Sequence, residues 1–148
     1  MASSPLGEDS HLYLKLLEIT QTSGQVEARA WFFSEFSAQS YAELIDRYPK
    51  GSRESDMLMN VLVFYESAAV LVSRGLLHED VFFDAPFGFD VVWERVGDVL
   101  VEWREQSDPA TWENLVWLGK RYKAWSRYVW KSKLESVPPD RAVRRRGG

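Results

Sequence analysis

The sequence predicts an all-α fold: a single-domain bundle of about five or six helices around a central, apolar third helix. Three observations predict it. The chain has no alternating apolar run bounded by Asn-Gly or Asp-Gly hairpin turns, the usual mark of paired strands. Helix-start chemistry recurs, with Ser, Thr or Asp ahead of apolar residues at helical spacing. The stretch Met57 to Leu77 is apolar enough for a core helix and is punctuated by Gly75.

Taken in order, residues 1–8 are expected to be disordered, and Asp9 or Ser10 to cap a first helix carrying Leu12, Leu16 and Ile19. Thr22, with Gln25 three residues on, has the capping-box spacing and opens a second helix with Val26, Ala30 and Phe33 in register. Ser40 and Glu43 repeat that spacing, so the second helix breaks near residue 38 and resumes to Tyr48. Pro49, Gly51 and Ser52 form a turn. The third helix runs from about Glu54 to Arg74; Gly75 takes the left-handed position after it, and Leu76 folds back on Leu71. His78 to Ala85 reads as a loop or turn. Pro86 sets the first turn of a fourth helix ending near Gln106, and Asp108-Pro109 opens a last helix to about Glu135. The helical domain is thus residues 9–135, followed by a basic disordered tail, residues 136–148.

A length of 148 residues fits one domain, and 45% apolar with 27% charged residues excludes a wholly disordered chain. Cysteine is absent, which removes disulfides, thiolate metal sites and cysteine nucleophiles. The N-terminus MASSPLGEDS lacks the basic and apolar regions of a signal peptide. Asn60, Glu66, Ser67, Ser73 and Arg74 interrupt the longest apolar stretch, so no transmembrane segment and a cytoplasmic location are expected.

Charge is unevenly distributed. Residues 1–117 hold 8 Lys/Arg against 20 Asp/Glu, a net −12, whereas residues 118–148 hold 10 against 2, a net +8. In the fourth helix Phe89, Val92, Val96, Val99, Leu100 and Trp103 share one face, and Glu94, Asp98, Glu102 and Glu105 the opposite one. In the last helix Leu115, Leu118, Tyr122, Trp125 and Val129 form a narrow stripe, with Lys120, Lys123, Arg127 and Lys131 diametrically opposite. These two helices are antiparallel neighbours with outward faces of opposite sign. Of the seven Trp, Trp31, Trp93, Trp103 and Trp125 fall on apolar faces, while Trp112, Trp117 and Trp130 are interface candidates.

Glu66 is the sharpest single residue, a carboxylate inside an apolar helix that must be paired, hydrogen-bonded or protonated. It reads either as a general base or metal ligand in the core, or as a structural acid accepting from a buried Trp or Arg, with Trp93 and Arg29 the candidates. Paired Glu-x-x-His motifs, which a carboxylate di-metal bundle needs, are missing; no metal and no cofactor are expected. His78-Glu79-Asp80 reads as a solvated loop, and neither His11 nor His78 lies in a nucleophile motif.

The run VLVFYESAAVLVSRGLLHEDVFFD (61–84), then Trp93 and WENLVWLGKRYKAW (112–125), resembles a family of small all-helical bacterial proteins catalogued as a domain of unknown function. The pattern is aromatic-aromatic-Glu (Phe64, Tyr65, Glu66), Arg74-Gly75-Leu76, acidic Glu79 and Asp80, and a Trp in the next helix, over roughly residues 55–125. The resemblance implies an all-α fold and no activity.

The expected function is a non-enzymatic protein-interaction or regulatory module, its partner an unidentified protein or a second copy in a homodimer. Glu94, Asp98, Glu102 and Glu105 would dock on Lys120, Lys123, Arg127 and Lys131, with Trp117 and Trp130 as anchors. Two alternatives stay open. One is nucleic-acid or anionic-membrane association through the basic helix and Arg144 to Arg146. The other is an enzyme or small-molecule binder using Glu66 in a Trp-rich cavity.

Overall fold

A computed structural model of the chain describes residues 5–136, without the side chains of residues 5–8, Trp130 and Ser136. Seven helices make up its regular structure: α1 (Pro5–Thr20), α2 (Ser23–Glu35), α3 (Tyr41–Arg47), α4 (Arg53–Ser73), α5 (Glu79–Asp84), α6 (Phe89–Gln106) and α7 (Glu113–Ser136). The fold is all-α, with more helices than the five or six expected. The expected N-terminal cap is not at Asp9 or Ser10: α1 already includes Pro5, so Asp9 lies inside the helix, where it accepts a bond from the His78 N–H at 3.3 Å. The expected tail lies outside the described residues from 137 on, while Ser136 ends α7.

The expected Ser40 cap forms, and Ser52, read from the sequence as part of a turn, caps α4 as well. The Ser40 hydroxyl accepts from the Glu43 N–H at 3.1 Å, and the Ser52 hydroxyl accepts from the Ser55 N–H at 3.1 Å. The Thr22–Gln25 capping box does not. Thr22 donates its hydroxyl back to the Ile19 carbonyl, and Gln25 is buried against α4, where its amide donates to the Asn60 carbonyl (2.9 Å) and Asn60 Oδ1 (2.8 Å). A tertiary bond has taken the side chain the local motif would have used.

The α4 stop is as expected: Gly75 has φ +72°, and the Leu76 and Gly75 N–H groups donate to the carbonyls of Leu71 and Val72. The apolar follow-through differs, because Leu77 enters the core and Leu76 stays exposed. Where a loop was expected, α5 forms, its Phe82 fully buried and its start capped by His78 Nδ1, which accepts from the Asp80 N–H. The trio is also no free loop: Glu79 pairs with Arg121 at 2.6 and 3.0 Å, and Asp80 accepts from the Trp125 indole, fastening α5 to α7. Pro86 sits in the turn before α6, whose N-cap is Gly88 in the left-handed region.

α4 is the hub. It packs on α2 along one side and α7 along another; α6 covers α7, α3 covers α6, and α1 leans on α2 and α5. The α4 residues Leu58, Val61, Leu62, Tyr65, Ala68, Ala69 and Val72 are buried at helical spacing, whereas Met59 and Val63 are exposed. The helix expected to be covered all round therefore keeps one open stripe. By length and composition α4 could also cross a membrane; here it is the core helix, its Asn60 and Glu66 bonded to α2 and α7.

Candidate functional site

Glu66 projects from α4 onto the start of α7. Its Oε2 accepts from the Leu115 N–H at 2.6 Å, and its Oε1 accepts from the Asn114 N–H (3.1 Å) and Asn114 Nδ2 (3.0 Å). The last helix opens at Glu113, later than the Asp108-Pro109 signal, because residues 108–112 form a turn in which Asp108 caps only Ala110. No local side chain then serves the first N–H groups of α7, and Glu66 caps them from another helix. Neither expected partner of Glu66 is used.

Arg29 is instead committed to Tyr65. One guanidinium nitrogen donates to the Tyr65 hydroxyl at 2.8 Å and the other to the Phe87 carbonyl at 2.8 Å, while the Tyr65 hydroxyl also donates to Phe87 O. Its carbon lies 5.4, 5.8 and 5.6 Å from the ring centres of Phe33, Phe64 and Tyr65. Burial pushes the Tyr65 phenol above 10.0, against the lowering effect of Arg29 and with a small raising contribution from Asp90. The folded protein thus holds this proton when the unfolded chain has lost it. Stability contributed by Tyr65 is complete below about pH 10 and falls as pH rises toward the folded value. Tyr65→Phe is expected to cost about 1–2 kcal/mol at neutral pH and to flatten the alkaline decline, measured by chemical denaturation at about pH 8 and about pH 11.

Trp93 has a different task. Its ring is wedged between α6 and α7, over Gly97 of its own helix and Gly119 of the other; a Cβ at Gly119 would lie 2.2–2.4 Å from it. Beside it Phe89 stacks at 6.5 Å and meets Tyr122 edge-on at 5.8 Å, while farther along Trp103 meets Trp112 at 5.5 Å, so α6 and α7 are antiparallel, as expected.

Along this seam runs a groove of about 470 Å³, lined by Asp90, Trp93, Glu94, Gly97, Asp98, Tyr122 and Lys123. Asp90, Glu94 and Asp98 are exposed and form neither ion pair nor hydrogen bond with another described residue. Burial and then the Asp90 charge push the Tyr122 phenol above 10.0, so the acidic field reaches the groove floor. Of the basic row, Lys123 thus borders the acidic one. A residue opposite the apolar stripe of its own helix can still border the neighbouring helix, and Lys123 does so directly after Tyr122.

The remaining expected residues separate. Glu102 is half-buried and accepts from the Tyr41 N–H at 2.8 Å, capping α3, and so leaves the acidic row; Glu105 is exposed at the far end of α6. Trp117 (38% exposed) and Lys120 lie on another face, beside Ser73, Arg104 and Asn114. Arg127 and Lys131 are exposed farther along α7, and the Trp130 side chain lies outside the described residues. Trp112 is no interface residue: it is 8% exposed, at φ +53°, and packs on Trp103.

Asp90, Gly97, Gly119 and Asn114 were missed. Two signals were there to read: Asp90 opens a four-residue step through Glu94 and Asp98, and glycines inside amphipathic helices mark close approach. No group of three or more His, Asp or Glu side chains able to hold a metal occurs among the described residues.

No curated protein and no solved structure matches the chain. A family model described as a domain of unknown function, DUF4760, matches residues 5–122, from the start of α1 to Tyr122 of α7, and the chain belongs to that family.

Proposed function

We propose that this chain is a non-enzymatic protein-interaction module whose contact surface is the groove between α6 and α7, acting in the cytoplasm. The observation that carries the reading is the row Asp90, Glu94 and Asp98, exposed along an aromatic floor of Trp93 and Tyr122 and offset within the groove by Lys123 alone. Such a surface favours a partner segment bearing Lys or Arg, whose charge meets carboxylates while its stem or guanidinium lies on the rings. Glu66 offers less to an enzyme reading, because its two oxygens already accept three hydrogen bonds that start α7.

The direct test titrates the full chain with a hexa-arginine peptide by calorimetry at low and high salt. Saturable binding is expected, weakened about tenfold or more by Glu94→Lys/Asp98→Lys and by salt. Binding unchanged by that pair removes the groove from the reading. The second reading, an anionic membrane or nucleic acid on α7, is favoured by the exposed Arg127, Tyr128 and Lys131. It predicts that the chain retards an oligonucleotide or binds anionic vesicles, an effect lost on Arg127→Glu/Lys131→Glu.

A further inference from the structure

α7 does not stop where the family domain stops. The matched region ends at Tyr122, which is also the last α7 residue packed on the core, yet the helix continues 14 residues to Ser136, about 21 Å. Among the described residues, its ring contacts with other elements end at Trp125. Beyond that point Tyr128 is 73% and Leu134 66% exposed. Residues 123–136 carry Lys123, Arg127, Lys131 and Lys133 against Glu135 alone, a net +3. A long cationic helix with bare apolar side chains thus extends from a domain whose neighbouring helix bears an acidic row offset within its groove by Lys123 alone.

We propose that the partner of the α6–α7 groove is a second copy of this chain, and that two copies exchange their α7 extensions reciprocally. This rests on the reading of the groove as a contact surface and adds its occupant. The register follows from the geometry. Asp90, Glu94 and Asp98 repeat every four residues, as do Lys123, Arg127 and Lys131, so each row advances about 6 Å per step. Phe89 and Tyr122 stand at one level, their rings 5.8 Å apart, with α6 running back from that level and the extension running forward. A two-fold axis at this level and perpendicular to α7 lays the extension of each copy along the other copy's α6. Lys123 then meets Asp90, Arg127 meets Glu94, and Lys131 meets Asp98. Each copy gives and receives the same contact, so the assembly closes at two. Tyr128 and Leu134 leave water in the same step, supplying apolar area that charge pairing alone lacks.

The experiment is solution mass of the full chain by light scattering, with charge reversal on each side. The unaltered chain is expected to be a dimer at low salt, its dissociation constant rising about tenfold or more at high salt. Glu94→Lys/Asp98→Lys and Arg127→Glu/Lys131→Glu are each expected to be monomeric, and their equimolar mixture to form a dimer again, since both exchanged contacts are then complementary. All four residues are exposed, so helix content by circular dichroism is expected to be unchanged. A second variant is independent of charge: the chain has no cysteine, so Glu94→Cys/Arg127→Cys should yield a covalent dimer on mild oxidation. A monomer at low salt, a mixture that stays monomeric, or a cysteine pair that gives no dimer overturns the exchange. If hexa-arginine still binds in a Glu94- and Asp98-dependent way, the groove remains a contact surface and only its occupant is wrong. If it does not, both readings fall.

Discussion

Gly119→Ala is expected to destabilise the fold by about 3 kcal/mol, a fall of roughly 10 °C in thermal midpoint, although helix propensity alone argues the opposite sign. Gly119 lies inside α7, where alanine normally stabilises by up to about 1 kcal/mol. Here the added carbon would meet the Trp93 ring at 2.2–2.4 Å, well inside van der Waals contact, and the ring has Gly97 of its own helix against it. Retreat is therefore closed on the α6 side, and relief has to come from separating two helices whose contact also carries Phe89 and Tyr122. The cause can be isolated. In a Trp93→Leu background the obstacle is gone, and Gly119→Ala is expected to become neutral or to stabilise by about 0.5–1 kcal/mol. The pair should thus show a coupling of about 3–4 kcal/mol in a denaturant double-mutant cycle. Gly97→Ala, with its nearest ring atoms at 3.1 Å, should cost about 1 kcal/mol. Equal effects of Gly119→Ala in both backgrounds would show that the glycine serves something other than the Trp93 wedge.

The contrast between Gly75 and Gly119 indicates how far the sequence could be read. Gly75 ends an apolar run, and its left-handed conformation follows from local chemistry alone. Gly119 serves a ring 26 positions away, and nothing within its own helix names that ring. The helix boundaries divide in the same way. Ser40 caps through an atom three residues away and was legible, whereas Ser52, which caps α4 at the same spacing, was read only as part of a turn. Thr22–Gln25 had equally good spacing but lost Gln25 to α4, and α7 takes its cap from Glu66, 48 residues upstream of Asn114. At the groove, each helix wheel correctly placed Glu94, Asp98 and Lys123 in solvent. The relative rotation of the two wheels, which brings Lys123 beside the acidic row, is fixed by the Trp93 wedge. Glu102 was lost from that row because α3, a seven-residue helix, needed an acceptor at its first turn.

Glu66→Ala is expected to cost about 2–4 kcal/mol, close to the effect of Gly119→Ala, because one carboxylate serves several donors at once. Removing it leaves the Asn114 and Leu115 N–H groups and the Asn114 side-chain amide without their acceptor, at a helix start where the turn 108–112 offers no replacement. Glu66→Gln keeps the shape and one acceptor oxygen. It turns an NH2 group toward donors that cannot accept from it, and loses the negative charge at the helix N-terminus. A cost of about 1–2 kcal/mol is expected. Asn114→Ala deletes only the 3.0 Å side-chain bond and should cost less than either. Stability alone would not distinguish a cap from a general packing loss, but amide hydrogen exchange does. In Glu66→Gln, protection should fall at Asn114 and Leu115 first, while the amides of Leu62 and Tyr65 in the middle of α4 keep theirs. Fraying confined to the first turn of α7 identifies Glu66 as the acid that sets where this helix begins, and with it the level at which Trp93 meets Gly119. Uniform loss of protection across α4 and α7 would contradict that role.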